Sequence, residues 1–269
     1  NLMYSPTKNP ELIKVRNRLI SSKNGKIFED EKGLKDMLKL GEIRIKQDSI
    51  SEVPYDNERI LDGALSFIPH TEKFSDNPVK DAEEIIKRME YLETGDNKIP
   101  EIVRSHGVIR YSGDNYLNMT SDHIVNESVN TGYKTEAQWF MTSDISKSYG
   151  TAAKRLLDKI DEEKRVDAKT IELLNKAIQK QTEYINRSYA RITGKNTFKA
   201  NGKECPSFQL PEAYQAVTNS KGEILFVPGT HTPLGWAQSS LYDASKLYLE
   251  NLNRFEKLNK GLTEQFPNK

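Results

Sequence analysis

Asn77-Pro78-Val79-Lys80-Asp81-Ala82-Glu83-Glu84-Ile85-Ile86-Lys87-Arg88-Met89-Glu90-Tyr91-Leu92 is the stretch on which the reading of the fold turns. Asn at a helix cap followed by Pro at the first helical position is a start signature. Proline has no N–H to lose there, and its φ is already helical. Val79, Ala82, Ile85, Ile86, Met89 and Leu92 then recur at a period of 3.6. The same period returns along much of the chain. Pro10 opens a segment with Leu12, Ile13, Val15, Leu19 and Ile20 on one face, with Asn9 as cap. Residues 56–68 carry Ile60, Leu61, Ala64, Leu65 and Ile68. A helix is expected from about Thr135 to Lys159. Another follows with Ile171, Leu174, Ile178, Ile185, Tyr189 and Ile192 on one stripe, and a last one begins near Leu234. Extended structure is expected only at Glu223–Val227, after the Asn-Ser-Lys-Gly turn. The class predicted is therefore all-α, a single domain over residues 1–269.

Composition narrows the function classes. The chain has 269 residues, with 40 Lys+Arg against 39 Asp+Glu, a net charge of +1. A balanced chain lacks the basic excess of a nucleic-acid or anionic-membrane footprint, so neither partner is expected. No apolar run approaches the roughly 18 residues of a membrane helix. Cys205 is the single cysteine. An intrachain disulfide and a cysteine metal site are excluded, and a free thiol is compatible with the cytoplasm. His70, His106, His123 and His231 do not fall at metal-ligand spacing. No metal or organic cofactor is implied.

Two long polar connections, residues 93–134 and 193–233, separate the helices. Loops of that length in a compact domain tend to be functional, so candidate chemistry is sought there. Gly107–Tyr116 combines Arg110, Tyr111, Asp114 and Tyr116 around a glycine turn. Guanidinium and carboxylate groups suit sugar hydroxyls, and phenol faces give them a surface to pack on. An Arg–Asp staple of the loop is the plainer account. Glu136-Ala137-Gln138-Trp139 puts an indole at an expected helix start, where it serves as core anchor or ligand platform. Gln138 can use both ends of its amide on hydroxyls. Pro211-Glu212 places a carboxylate in an expected first helical turn, which the helix dipole alone would favour. Thr232–Ser239 carries Trp236.

Taken in order, these segments resemble the glycoside hydrolase family 15 domain of glucoamylases and glucodextranases, related to the N-terminal part of phosphorylase kinase regulatory subunits. Asp62 and Leu65 match its Asp-x-x-Leu helix. Arg110, Tyr111, Asp114 and Tyr116 match its Arg-Tyr loop. Glu136, Gln138 and Trp139 match its Trp helix start, Pro211 and Glu212 its Glu segment, and Pro233, Leu234, Trp236 and Ala237 its closing helix. The match runs from about residue 10 to 258.

The resemblance implies an (α/α)6 toroid and an inverting hydrolysis of α-glucans. Glu212 is the implied general base. Arg110, Tyr111, Asp114, Tyr116, Gln138, Trp139 and Trp236 are the implied substrate-binding residues. The family's Trp-Glu-Glu-like acid motif and first Arg-Asp clamp are absent, and seven or eight helices are expected here against twelve. The chain is thus expected to supply the later helices of the toroid, completed by an N-terminal segment, a second chain or self-association. Ala213 stands where hydrolases usually have Gln, and Gln238 where many have Ser or His. These departures resemble the regulatory-subunit branch or uncharacterised bacterial relatives, and a non-catalytic glucan-binding domain of the regulatory-subunit type is the second implied class.

Overall fold

The computed structural model describes residues 63–71, 73–95, 101–110, 114, 136–164 and 166–265. All lie in the second of two units into which the chain divides, Leu61–Lys269. The helix expected from Pro10, the first part of the one expected over 56–68, and Tyr111 and Tyr116 fall outside the described residues.

A 3-10 turn, Gly63–Phe67, runs into the short helix α1, Ile68–Thr71. Helix α2 spans Pro78–Thr94. Strands β1, Val108–Ile109, and β2, Gln138–Trp139, precede α3, Thr142–Glu163, and α4, Ala168–Tyr189. Four strands follow: β3, Thr197–Phe198; β4, Glu204–Cys205; β5, Ala213–Thr218; and β6, Ile224–Pro228. Helix α5, Gly235–Gln265, closes the described part.

The expectation of an all-α toroid is overturned. Five α-helices stand among the described residues, together with a four-stranded antiparallel sheet in the order β1-β2-β5-β6 and a two-stranded β3-β4 ribbon. No ring of helices is present in this part, which is an α+β arrangement. The physical reason lies at Trp139. It pairs with Val108 on one side and Ala213 on the other, so β2 is an interior strand. The helix expected from Thr135 starts only at Thr142, after the chain has left the sheet. Glu212 does not sit in a first helical turn either. It lies immediately before β5, so no helix dipole accounts for it.

Helix α3 is the hub, packed on α2, α4 and α5. Its Ile145, Tyr149, Ala152, Ala153, Leu156, Leu157 and Ile160 are buried against Ile85, Ile86, Met89 and Leu92 of α2 and Leu174, Ala177 and Ile178 of α4. Trp139 and Ala213, paired across β2 and β5, join the same core. Asn77 caps α2 by accepting from the N–H groups of Val79 and Lys80, a contribution of about 1 kcal/mol. Asp81 of α2 meets Arg155 of α3 in a buried ion pair. A second, smaller cluster gathers Phe140, Ile185, Leu210, Ala237, Leu241 and Ala244 under the start of α5. Side chains alternate along a strand. Accordingly, neighbours Trp139 and Phe140 enter different clusters, and the candidate residues divide along the same line.

Candidate functional site

Two constellations result. The first is a corner built on β2. The Trp139 indole Nε1–H donates to Asp114 Oδ2 at 2.7 Å, and the Asp114 carbonyl accepts from the Ala137 N–H. Asp114 and Trp139 are buried, at 5% and 9% exposure. Arg110 lies on the solvent side with its guanidinium carbon 5.9 Å from the Trp139 ring centroid. The Gly63 N–H donates to the Arg110 carbonyl at 2.7 Å, tying this corner to the 3-10 turn. Gln138 points the other way. Its Oε1 accepts from the His106 backbone N–H at 2.7 Å, and the residue is buried.

The second constellation forms where β5 begins and α5 starts. Glu212 is fixed through its backbone on both sides: its N–H donates to the His231 carbonyl, and its carbonyl accepts from the Phe140 N–H. Its carboxylate Oε2 lies 3.0 Å from His231 Nδ1. The Glu212 side chain is about one-fifth exposed, so water reaches it, while the imidazole is more open. Gly229 allows this closeness. Its N–H bonds the Ala213 carbonyl, and a side chain there would put its Cβ 2.9 Å from that same oxygen. The 229–233 loop can therefore press onto the start of β5. The Lys199 ammonium donates to the Thr232 carbonyl and holds the loop from its far side.

Trp236, in the first turn of α5, is 61% exposed. Its ring stacks on Phe67, with centroids 5.5 Å apart at 27°, and meets buried Phe140 edge-on at 5.4 Å. Phe140 thus joins the two residues, with its N–H on the Glu212 backbone carbonyl and its ring against Trp236. Leu234 N–H to the Leu210 carbonyl, and Gln238 Nε2 to Gln209 Oε1 at 2.7 Å, lock the start of α5 to the segment that leads into Glu212.

Beneath Trp236, one turn along α5, Ser240 Oγ donates to Asp144 Oδ1 at 2.6 Å, and Lys147 Nζ lies 3.0 Å from the same oxygen. Burial raises the Asp144 carboxyl above its ordinary value, with Lys147 and Ser240 opposing the rise. Its Oδ2 is buried without a hydrogen-bond partner among the described residues. His70 is lowered to about 4, first by burial and then by the nearby Lys147 ammonium. Burial, aided by Arg191, also lowers His106.

The sequence named Arg110, Asp114, Trp139, Glu212 and Trp236. The structure joins the first three in one corner and the last two, through Phe140, in another. His231, Phe67 and Phe140 were missed as site components. Their roles arise from contacts across long sequence separations, although Phe140 stands next to Trp139. Among the described residues no group of three or more His, Cys, Asp or Glu side chains is placed to hold a metal, and no helix is long and apolar enough to cross a membrane. The second constellation offers a water-accessible carboxylate for accepting a proton and an exposed indole for packing on an apolar face. No protein-family model, curated protein or solved structure matches this chain.

Proposed function

We propose that this chain acts on α-glucans as an inverting glycoside hydrolase, with Glu212 as general base. The observation that carries this reading is that Phe140 joins Glu212, through the Glu212 backbone carbonyl, to the exposed and Phe67-backed ring of Trp236. A pyranose presents an apolar C–H face and a rim of hydroxyls, so it needs a flat aromatic surface beside polar groups. In the proposed step Glu212 takes a proton from water, whose oxygen attacks the anomeric carbon. A carboxylic acid roughly 6.5–9.5 Å away protonates the leaving glycosidic oxygen. That acid is assigned to a residue other than the described ones. Arg110 donates to sugar hydroxyls from above the buried Asp114–Trp139 pair, with Tyr111 and Tyr116 assigned to the same substrate, whereas the buried amide of Gln138, bonded to the His106 N–H, is left out of that role.

The test is turnover of maltooligosaccharides by the complete protein and by its Glu212→Gln variant. General-base contributions are about 10²–10⁴-fold, so the variant should lose turnover by that factor while still binding sugar. Wild-type turnover in the variant would remove Glu212 from the role. A second reading, a glucan-binding domain without catalysis, is favoured by one observation. Asp114 and Trp139 bond to each other inside the core instead of presenting their polar atoms. Saturable binding with no turnover in the wild type would decide for it.

A further inference from the structure

Phe208 combines an exposed ring with a left-handed backbone. Its ring is 80% exposed, so it gains little from burial. Its φ is +61°, a region that a bulky L-residue occupies only under strain. Among the described residues the other non-glycine positions with positive φ are Lys164 and Asn196. Lys164 closes α3, and asparagine tolerates the left-handed region.

The strained backbone of Phe208 is clamped. Buried Thr193 accepts the Phe208 N–H at its carbonyl at 2.7 Å and donates its own N–H to the Gln209 carbonyl at 2.8 Å. The Thr193 hydroxyl accepts the Gln209 N–H at 2.9 Å and donates to the Pro206 carbonyl at 2.6 Å. Four hydrogen bonds from one residue therefore hold the phenyl ring outward. Strain of this kind persists where the surroundings over-determine it, and it gathers at ligand clamps.

The clamp belongs to the chain that builds the Glu212 site. Gln209 is bonded to Gln238 and Leu210 to Leu234, at the start of α5. Phe208 precedes Glu212 by four residues, so at most about 14 Å of extended chain separates their Cα atoms. A further sugar unit of a bound polymer falls within that reach.

We propose that Phe208 is an aromatic subsite for a second portion of the glucan chain, distinct from the Trp236 surface, and that it makes the site favour longer oligosaccharides over maltose. This rests on the carbohydrate reading of the Glu212–Trp236 face. The strain is the cost of holding the ring ready, and glycine, which adopts this φ freely, should relieve it.

The experiment titrates maltose and maltoheptaose calorimetrically into the complete protein and its Phe208→Gly and Phe208→Trp variants, with thermal unfolding measured alongside. Phe208→Gly should bind maltoheptaose roughly tenfold more weakly, since a well-covered phenyl ring contributes about that factor. Its maltose affinity should stay unchanged and its unfolding midpoint should rise. Phe208→Trp should keep the maltoheptaose affinity. Wild-type maltoheptaose affinity in Phe208→Gly overturns the subsite and leaves the Glu212–Trp236 reading in place. A lowered midpoint would show that the ring serves the fold and would likewise overturn it. Absence of maltoheptaose binding by the wild type overturns both readings.

Discussion

The corner at Asp114 and Trp139 and the face at Glu212 and Trp236 use similar chemical parts to opposite ends. Each pairs a carboxylate with an indole. In the corner the two are bonded to each other and buried. On the face the carboxylate is held by an imidazole, and the indole stands mostly in water, supported by two phenyl rings. The corner's polar groups therefore serve the fold, whereas the face leaves its aromatic plane exposed and its carboxylate beside a water-accessible imidazole. A carboxylate near a tryptophan in sequence says little about function until burial and bonding are known. What separates the two is whether the indole N–H and the carboxylate oxygen satisfy one another.

The sharpest way to break this contrast is at Trp139. Trp139→Ala removes a buried ring and the donor to Asp114 Oδ2, and should destabilise the protein by about 3–5 kcal/mol in denaturant unfolding. Trp139→Phe keeps most of the ring and loses the N–H, and should cost about 1.5–3 kcal/mol, the value of a hydrogen bond to a charged group. If both variants were as stable as wild type, the corner would not be the structural unit described.

A smaller effect sharpens the face from below. His70 titrates near 4 in the folded protein against 6.5 in the unfolded chain, because burial and Lys147 disfavour its imidazolium. Between those values the unfolded chain binds more protons. Stability should therefore fall as pH drops from 6.5 towards 4, by up to about 3 kcal/mol from this residue. Asp144 acts with the opposite sign. Burial raises its carboxyl, so its contribution declines as pH rises through its folded value. His70→Gln should flatten the acid-side loss in urea unfolding measured at several pH values. An unchanged slope would mean that His70 is solvated.

Much of the helical frame was legible. Asn77-Pro78 marked the start of α2, and the stripe of α4 and the start of α5 near Leu234 were read directly, because a long amphipathic helix repeats its signal several times. The sheet was not. Strands β1 and β2 are two residues each, too short to show any alternation, and Trp139 looked like a helix start because α3 begins three residues later. Strand β5 was hidden for another reason. Its burial does not alternate cleanly, and Pro211 before Glu212 imitates a helix opening. One signal for it was present, since the turn at Asn219–Gly222 and the extended β6 require an antiparallel partner on the other side. The candidate residues were legible by type, but their division between corner and face was not. That division depends on contacts across long sequence separations that the pairing of β2 with β1 and β5 sets up, and so on having recognised the strands.

The most direct measurement is calorimetric titration of maltoheptaose into wild type and Trp236→Ala, with thermal unfolding of both. Trp236 is mostly exposed, so its loss should change stability by less than about 1 kcal/mol. The account predicts saturable binding by the wild type and at least a roughly tenfold weaker affinity in Trp236→Ala, as expected for removal of an aromatic anchor. Equal affinity in the two proteins, or no binding by the folded wild type, would contradict it.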